Sequence, residues 1–254
     1  MNWLLAALNL RPQPVLPRAD REWSVAVSVA TGDRVLESYY DLRTEPIGPD
    51  RWLISTRRTR GTWSEHGEPA AFDSDQPTSR DPWPLVLQHL VATVPAEVEI
   101  VDGRVTSLVH PEEWQAAARR AIWGSKLPNE ALDAGEPLLD PHGLVVDLAR
   151  TFPGRPEPER EWVRTDRIAG LDVVVRETCE PTESGWSCAG SASSAAGQPA
   201  SLFETATFTR LALDHQGLVW IETGYSGTLV SSVAGDRAAV DDRPISGLRR
   251  VQRR

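Results

Sequence analysis

A chain of 254 residues with 40% hydrophobic content can bury one large core or two small ones, which excludes disorder throughout. A net charge of −9 and a pI near 5.1 oppose a phosphate backbone, and the arginines are scattered except for Arg57, Arg58 and Arg60, so no nucleic-acid partner is expected. No apolar run approaches the roughly 18–20 residues of a membrane-spanning helix, so no transmembrane segment is expected either.

The N-terminal "MNWLLAALNLRPQP" carries an apolar run, Trp3 to Leu8, about half the length of a secretory core segment, with no basic stretch before it. It reads as a tail or short amphipathic helix, such as a start site omitting a longer export signal would leave. Next, Trp23, Val25, Val27 and Val29 alternate with Ser24, Ala26 and Ser28. That period of two marks a strand with one apolar face.

This strand opens an internal echo. "REWSVAVSVATGDRVLES" at 21–38 is answered by "REWVRTDRIAGLDVVVRE" at 160–177, with Arg21, Glu22, Trp23, Ala30 and Asp33 recurring as Arg160, Glu161, Trp162, Ala169 and Asp172 at an offset of 139. Trp52 corresponds to Trp186, and "EIVDGRVTSL" at 99–108 to "LALDHQGLVWI" at 211–221. The preserved order of tryptophan, turn and strand points to a structural duplication.

Between the copies the hydrophobic period changes. "HPEEWQAAARRAIWG" at 110–124 has Pro111 in the first turn, Glu112 and Glu113 at the positive helix end and Gly124 as terminator. Trp114, Ala118, Ala121 and Ile122 form its apolar stripe. "LPNEALDAG" and "DPHGLVVDLARTFP" read as two more short helices, and "PGRPEPER" at 153–160 as a stiff linker. The chain is read as a single domain over 1–254, with a first β-rich half over 20–110, a helical insert over 111–152 and a second β-rich half over 153–254.

The second half holds both cysteines, in "CEPTESGWSC" at 179–188. "LDVVVRETC" is rich in β-branched residues and "EPTESG" forms turns, so Cys179 and Cys188 flank the bend of a hairpin. A structural disulfide is the leading reading, and it requires an oxidising compartment. Two free thiols, or a reactive or metal-binding pair, stay open as alternatives, although the spacing is not that of a redox C-x-x-C. Further on, Phe203, Thr205, Thr207, Thr209, Leu211 and Leu213 fill one side of a long strand, with Glu204, Ala206, Phe208 and Arg210 on the other.

Catalytic patterns are mostly absent from the sequence. His66, His89, His110, His142 and His215 are dispersed with no zinc-site spacing. "GYSGT" at 224–228 lacks the spacing of a nucleophile elbow, and Gly224 and Gly227 read as bulge or bend residues. No catalytic residue, metal site or cofactor is expected, and the protein is read as no enzyme. The ten tryptophans are the unusual feature: core and sheet-edge filling explains them, while recurrence in both halves allows some to line a ligand.

A strand-rich half, a helical insert and a second strand-rich half entered through "PGRPEPEREW" resemble the half-barrel of bacterial envelope lipoprotein carriers, the lipoprotein localisation factors. The resemblance covers roughly residues 20–250 and rests on patterns; there is no lipobox cysteine. It implies a mostly β, α+β fold in which a curved antiparallel sheet, built from two repeats, packs a helical insert on its concave face and receives acyl chains there. Trp23, Val25 and Val27 of the first strand, with Trp114, Ala118 and Ile122 of the insert, are then the ligand-lining candidates. The expected partner is a lipid or lipoprotein, or an envelope protein, in the periplasm or outside the cell. The competing reading is an interaction or structural module whose interior is filled by its own helices. A continuous apolar cavity above about 300 Å³ separates the two.

Overall fold

The computed structural model describes residues 21–101, 104–152, 156, 161–169, 171–194, 200–214, 217–232 and 240–254. The N-terminal apolar stretch, most of the proline-rich linker with Arg160, and His215 lie outside the described residues.

Among the described residues, twelve strands form one antiparallel, open sheet, accompanied by four α-helices. The first six are β1 (Arg21–Thr31), β2 (Arg34–Pro46), β3 (Arg51–Glu65), β4 (Glu68–Asp73), β5 (Ala96–Val101) and β6 (Arg104–Leu108). The second six are β7 (Glu161–Ile168), β8 (Leu171–Pro181), β9 (Gly185–Ser194), β10 (Ala200–Asp214), β11 (Gly217–Ser232) and β12 (Val240–Arg253). Their spatial order is β6-β5-β3-β2-β1-β12-β11-β10-β9-β8-β7, with β4 paired to β3. Strands consecutive in the chain lie side by side except β4 and β5, which both pair with β3, and β6 and β7; β12 returns to pair with β1, so β6 and β7 are left as the ends of the order.

Turn chemistry explains these hairpins. The β1–β2 turn has two residues, and Gly32 takes its first central position at φ +59°. In the β3–β4 turn His66 and Gly67 both have positive φ, 55° and 86°, which matches the right-handed twist of the flanking strands. Cys179 and Cys188 sit directly opposite in the β8–β9 ladder and are bonded. The disulfide reading therefore holds.

Helices α2 (Pro111–Trp123), α3 (Asn129–Gly135) and α4 (Pro141–Thr151), with a 3₁₀ turn at Glu136–Leu139, connect β6 to β7. The Asp140 carboxylate caps α4 by accepting from the backbone N–H groups of His142 and Gly143 at 3.0 Å each. A further helix, α1 (Trp83–Ala92), follows β4, inside a segment that sequence patterning had assigned to strands. Its run "WPLVLQHLVA" is apolar on several faces, so no period of 3.6 stands out.

The sheet's inner face is built from alternate residues. Trp23 is fully buried there: its Nε1 donates to Thr44 Oγ1 at 3.0 Å, and its ring meets Phe152 edge-on, with centroids 5.3 Å apart. Trp52 and Trp186 are the second residues of β3 and β9, each paired across its hairpin with the last residue of the preceding strand, Pro46 and Pro181.

In the second half part of the inner face is ionic. Arg164 donates to Asp166 Oδ2 at 2.9 Å, Glu177 Oε1 at 3.3 Å and Thr209 Oγ1 at 3.2 Å, all in buried side chains. Such a network holds β7, β8 and β10 in one register, since breaking it strands a buried charge. One strand departs from expectation. A register shift between Phe203 and Ala206, with Glu204 at φ 46°, takes Phe203 out of the row that continues through Thr205 and Thr207, and it ends up 58% exposed. Gly224 is no bend: a Cβ there would fall 2.3 Å from the Phe208 ring, which lies across it.

Candidate ligand cavity

Period-two alternation brings Val25, Val27 and Val29 of β1 onto the inner face, with Leu36, Tyr40 and Leu42 of β2 beside them. In a filled interior these side chains would be buried completely. Val27, Val29 and Leu36 are only partly buried, because a cavity of about 550 Å³ separates this part of the sheet from the helices. Its opposite wall comes from Val91 and Ala92 of α1, Trp114 of α2, Leu138 of the 3₁₀ turn, and Leu144 and Leu148 of α4. Aliphatic side chains dominate that wall, which suits an apolar guest.

A small polar pin crosses the cavity floor. The Tyr40 hydroxyl donates to Gln88 Oε1 at 2.9 Å, and Ser38 Oγ reaches the same oxygen at 3.3 Å, fixing α1 over β2. Burial pushes the Tyr40 phenol above its ordinary pKa, with the Ser38 hydrogen bond opposing. Close by, His89 Nδ1 and Thr59 Oγ1 lie 3.1 Å apart. Burial holds that imidazole below its ordinary pKa.

The other end of the cavity is charged. Arg150 and Asp147 of α4, Arg167 beyond β7's midpoint, Arg249 of β12 and Tyr225 of β11 border it, as does Asp140 at the helix cap. Tyr225 is also shifted upward by burial, against the pull of Arg150.

Of the six side chains taken from the sequence as ligand-lining, Val25, Val27 and Trp114 stand on the cavity wall. Trp23, Ala118 and Ile122 do not. Each is 0% exposed and packed in the adjoining core, Trp23 against Phe152 and the two helix residues on the buried stripe of α2. Ala121 is only partly buried at the margin of that stripe. Sequence reasoning missed Tyr40, Gln88, Arg150, Tyr225 and Arg249. Tyr225 lies inside "GYSGT", where the glycines drew notice, and the arginines belong to segments about a hundred residues apart.

No protein-family model matches the chain, and no curated protein matches it. Its fold does have a likeness among solved structures. A structure of lipovitellin, described for its lipid–protein interactions, superposes at a TM-score of 0.52 over 94% of this chain with 8% identity. This chain spans 25% of that chain's length. At that identity the likeness is one of fold. A LolA superfamily protein from Nitrosomonas europaea aligns over 95% of this chain and 89% of its own, at 11% identity and a TM-score of 0.22. A domain named as outer membrane lipoprotein-sorting from Vibrio parahaemolyticus aligns over 92% of this chain and 83% of its own, at 9% identity and a TM-score of 0.18. The scores of these two are too low to add to the comparison. Among the described residues no helix is long and apolar enough to cross a membrane.

Proposed function

We propose that the protein is a non-enzymatic binder of a hydrophobic ligand, a lipid or the acyl chain of a lipoprotein, held between the sheet and its helices. The observation that carries this reading is the cavity of about 550 Å³ between β1–β3 and α1, α2 and α4. It falls within the range of small-molecule sites and exceeds what a self-filled module needs, which counts against the interaction-module reading. The fold shared with lipovitellin, a protein described for its contacts with lipid, points the same way.

Export to the periplasm or the cell exterior belongs to the same proposal. A bonded Cys179–Cys188 pair persists where the surroundings are oxidising, and a carrier of acyl chains in a cell envelope works in such a place.

Titration with a single-chain amphiphile below its micelle concentration tests the reading. Trp114 stands on the wall, so occupancy should give a saturable change in tryptophan fluorescence and raise the melting temperature by mass action. Trp114→Ala should weaken binding by more than it lowers stability. No saturable change with any amphiphile, together with a Trp114→Ala variant that merely unfolds, would contradict the proposal.

A further inference from the structure

The charged end of the cavity holds three guanidinium groups, and two of them are already committed. Arg249 donates to the Asp147 carbonyl oxygen at 2.9 Å, to Thr151 Oγ1 at 2.6 Å and to Asp147 Oδ1 at 3.3 Å. Arg167 donates to Asp172 Oδ1 at 2.9 Å and to Asp140 Oδ2 at 3.1 Å. Arg150 is different. It is 8% exposed, and its carboxylate neighbour is Asp166 Oδ2, 3.5 Å from Nε. That carboxylate is occupied elsewhere, accepting from Arg164 at 2.9 Å and from the Arg167 backbone N–H at 2.7 Å.

Arg150 Nε lacks a hydrogen-bond acceptor among the described residues, although it is buried. Arg249 Nε lacks one too, but that guanidinium already donates three hydrogen bonds through its other two nitrogens, whereas the nearest carboxylate to Arg150 stays at 3.5 Å. Leaving a charged donor in that condition is costly, and an oxyanion of the right shape relieves it. The guanidinium is also held in place: its central carbon lies 5.5 Å from the centroid of the Tyr225 ring, and both residues border the cavity. Asp140 and Asp147 border it too, but each is engaged by its own arginine, Arg167 or Arg249.

We propose that Arg150 anchors the head group of the ligand, so that the cavity selects single-chain amphiphiles bearing an anionic oxyacid, a carboxylate or a phosphate. The tail then runs from Tyr225 along Val29, Val27 and Val25 beneath α1 and α2. The proposal rests on the reading that the cavity takes an amphiphile, and it adds which end of that amphiphile is recognised and by what.

The test is a titration of the full chain with dodecanoate, dodecyl phosphate, dodecanol and inorganic phosphate, followed by tryptophan fluorescence. Both anionic amphiphiles should bind about 10- to 100-fold more tightly than the alcohol, the gain of one charge-assisted hydrogen-bond pair in a buried site. In Arg150→Met, which keeps much of the apolar stem, the ratio of anion to alcohol affinity should collapse to near one. Equal binding of alcohol and anions by the unaltered protein would overturn the head-group anchor while leaving hydrophobic binding intact. Inorganic phosphate binding as tightly as dodecyl phosphate would overturn it in favour of a free-anion site. No binding by any of the three amphiphiles would defeat the underlying reading itself. The series on the unaltered protein decides the matter even where Arg150→Met fails to fold.

Discussion

Arg249 in β12 and Asp147 in α4, 102 residues apart, are joined by two hydrogen bonds, one to the Asp147 carbonyl oxygen at 2.9 Å and one to its carboxylate at 3.3 Å. With the bond from the same guanidinium to Thr151, this pins α4 over the seam where the last strand meets the first. The helix end gains an acceptor-to-donor match that the backbone alone does not provide. Arg249→Met should therefore lower stability by about 1–3 kcal/mol, because the hydrogen bonds go while much of the stem stays. Asp147→Asn should cost far less, about 0–1 kcal/mol, since that carboxylate is 57% exposed and solvent-screened. Urea unfolding of the two variants checks the contrast, and equal losses would show that the carboxylate, not the carbonyl and Thr151, carries the latch.

The bonded cysteines close a short loop with a sequence separation of 9, and a crosslink of that size is worth about 2–3 kcal/mol in the chain-entropy view. The Cys179→Ala, Cys188→Ala double variant should lose about that much in denaturant unfolding. Thiol labelling of the denatured, unreduced protein should find no free cysteine. A double variant as stable as the parent would mean that the ladder alone fixes this hairpin.

Gly247 in β12 lies opposite Tyr225 in β11, and a Cβ on it would fall 2.3 Å from the tyrosine ring. The glycine lets the ring lie across its neighbour and support Arg150. Gly247→Ala should push the ring aside, cost about 1–3 kcal/mol and weaken binding of dodecanoate more than that of dodecanol. Calorimetry with both ligands would show it. A variant with unchanged affinity for both would remove Tyr225 from the head-group end.

Stability should also depend on His89. Burial lowers its pKa in the folded protein, so as pH falls below the ordinary value of about 6.5 the unfolded chain binds the proton first. The unfolded state then holds more protons, and stability falls with pH through that window. Melting temperatures recorded from about pH 7.5 to 5.5 should decline, and His89→Gln should flatten the decline. An unaltered slope in the variant would place the titrating group elsewhere.

The residues that repeat with a clear period were readable in advance. Trp23, Val25 and Val27 announce β1, "HPEEWQAAARRAIWG" announces α2, and the turn between Cys179 and Cys188 announces their hairpin. Strands on either side of a helical stretch follow from these; the curved sheet with helices on its concave face was what the resemblance to the lipoprotein carriers implied. Helix α1 was hidden because an element apolar on several faces shows no period. The Phe203 bulge was hidden because a local shift of register leaves the alternation in the sequence intact. Trp23, Ala118 and Ile122 share a face with Val25 and Trp114 in pattern, yet whether a side chain meets space or another side chain depends on volume. The charged end of the cavity was beyond the sequence for another reason: Arg150, Tyr225 and Arg249 come from α4, β11 and β12, and only the closing of β12 on β1 assembles them.

A native mass spectrum of the protein, purified without detergent from the cells that make it, asks whether the cavity is filled. A binder of acyl chains should show a population carrying one bound acyl-chain compound per chain, removed by collisional activation and reduced when Val27→Trp fills the space beside Trp114. A spectrum containing the bare chain alone, unchanged after incubation with lipid vesicles, would contradict that function.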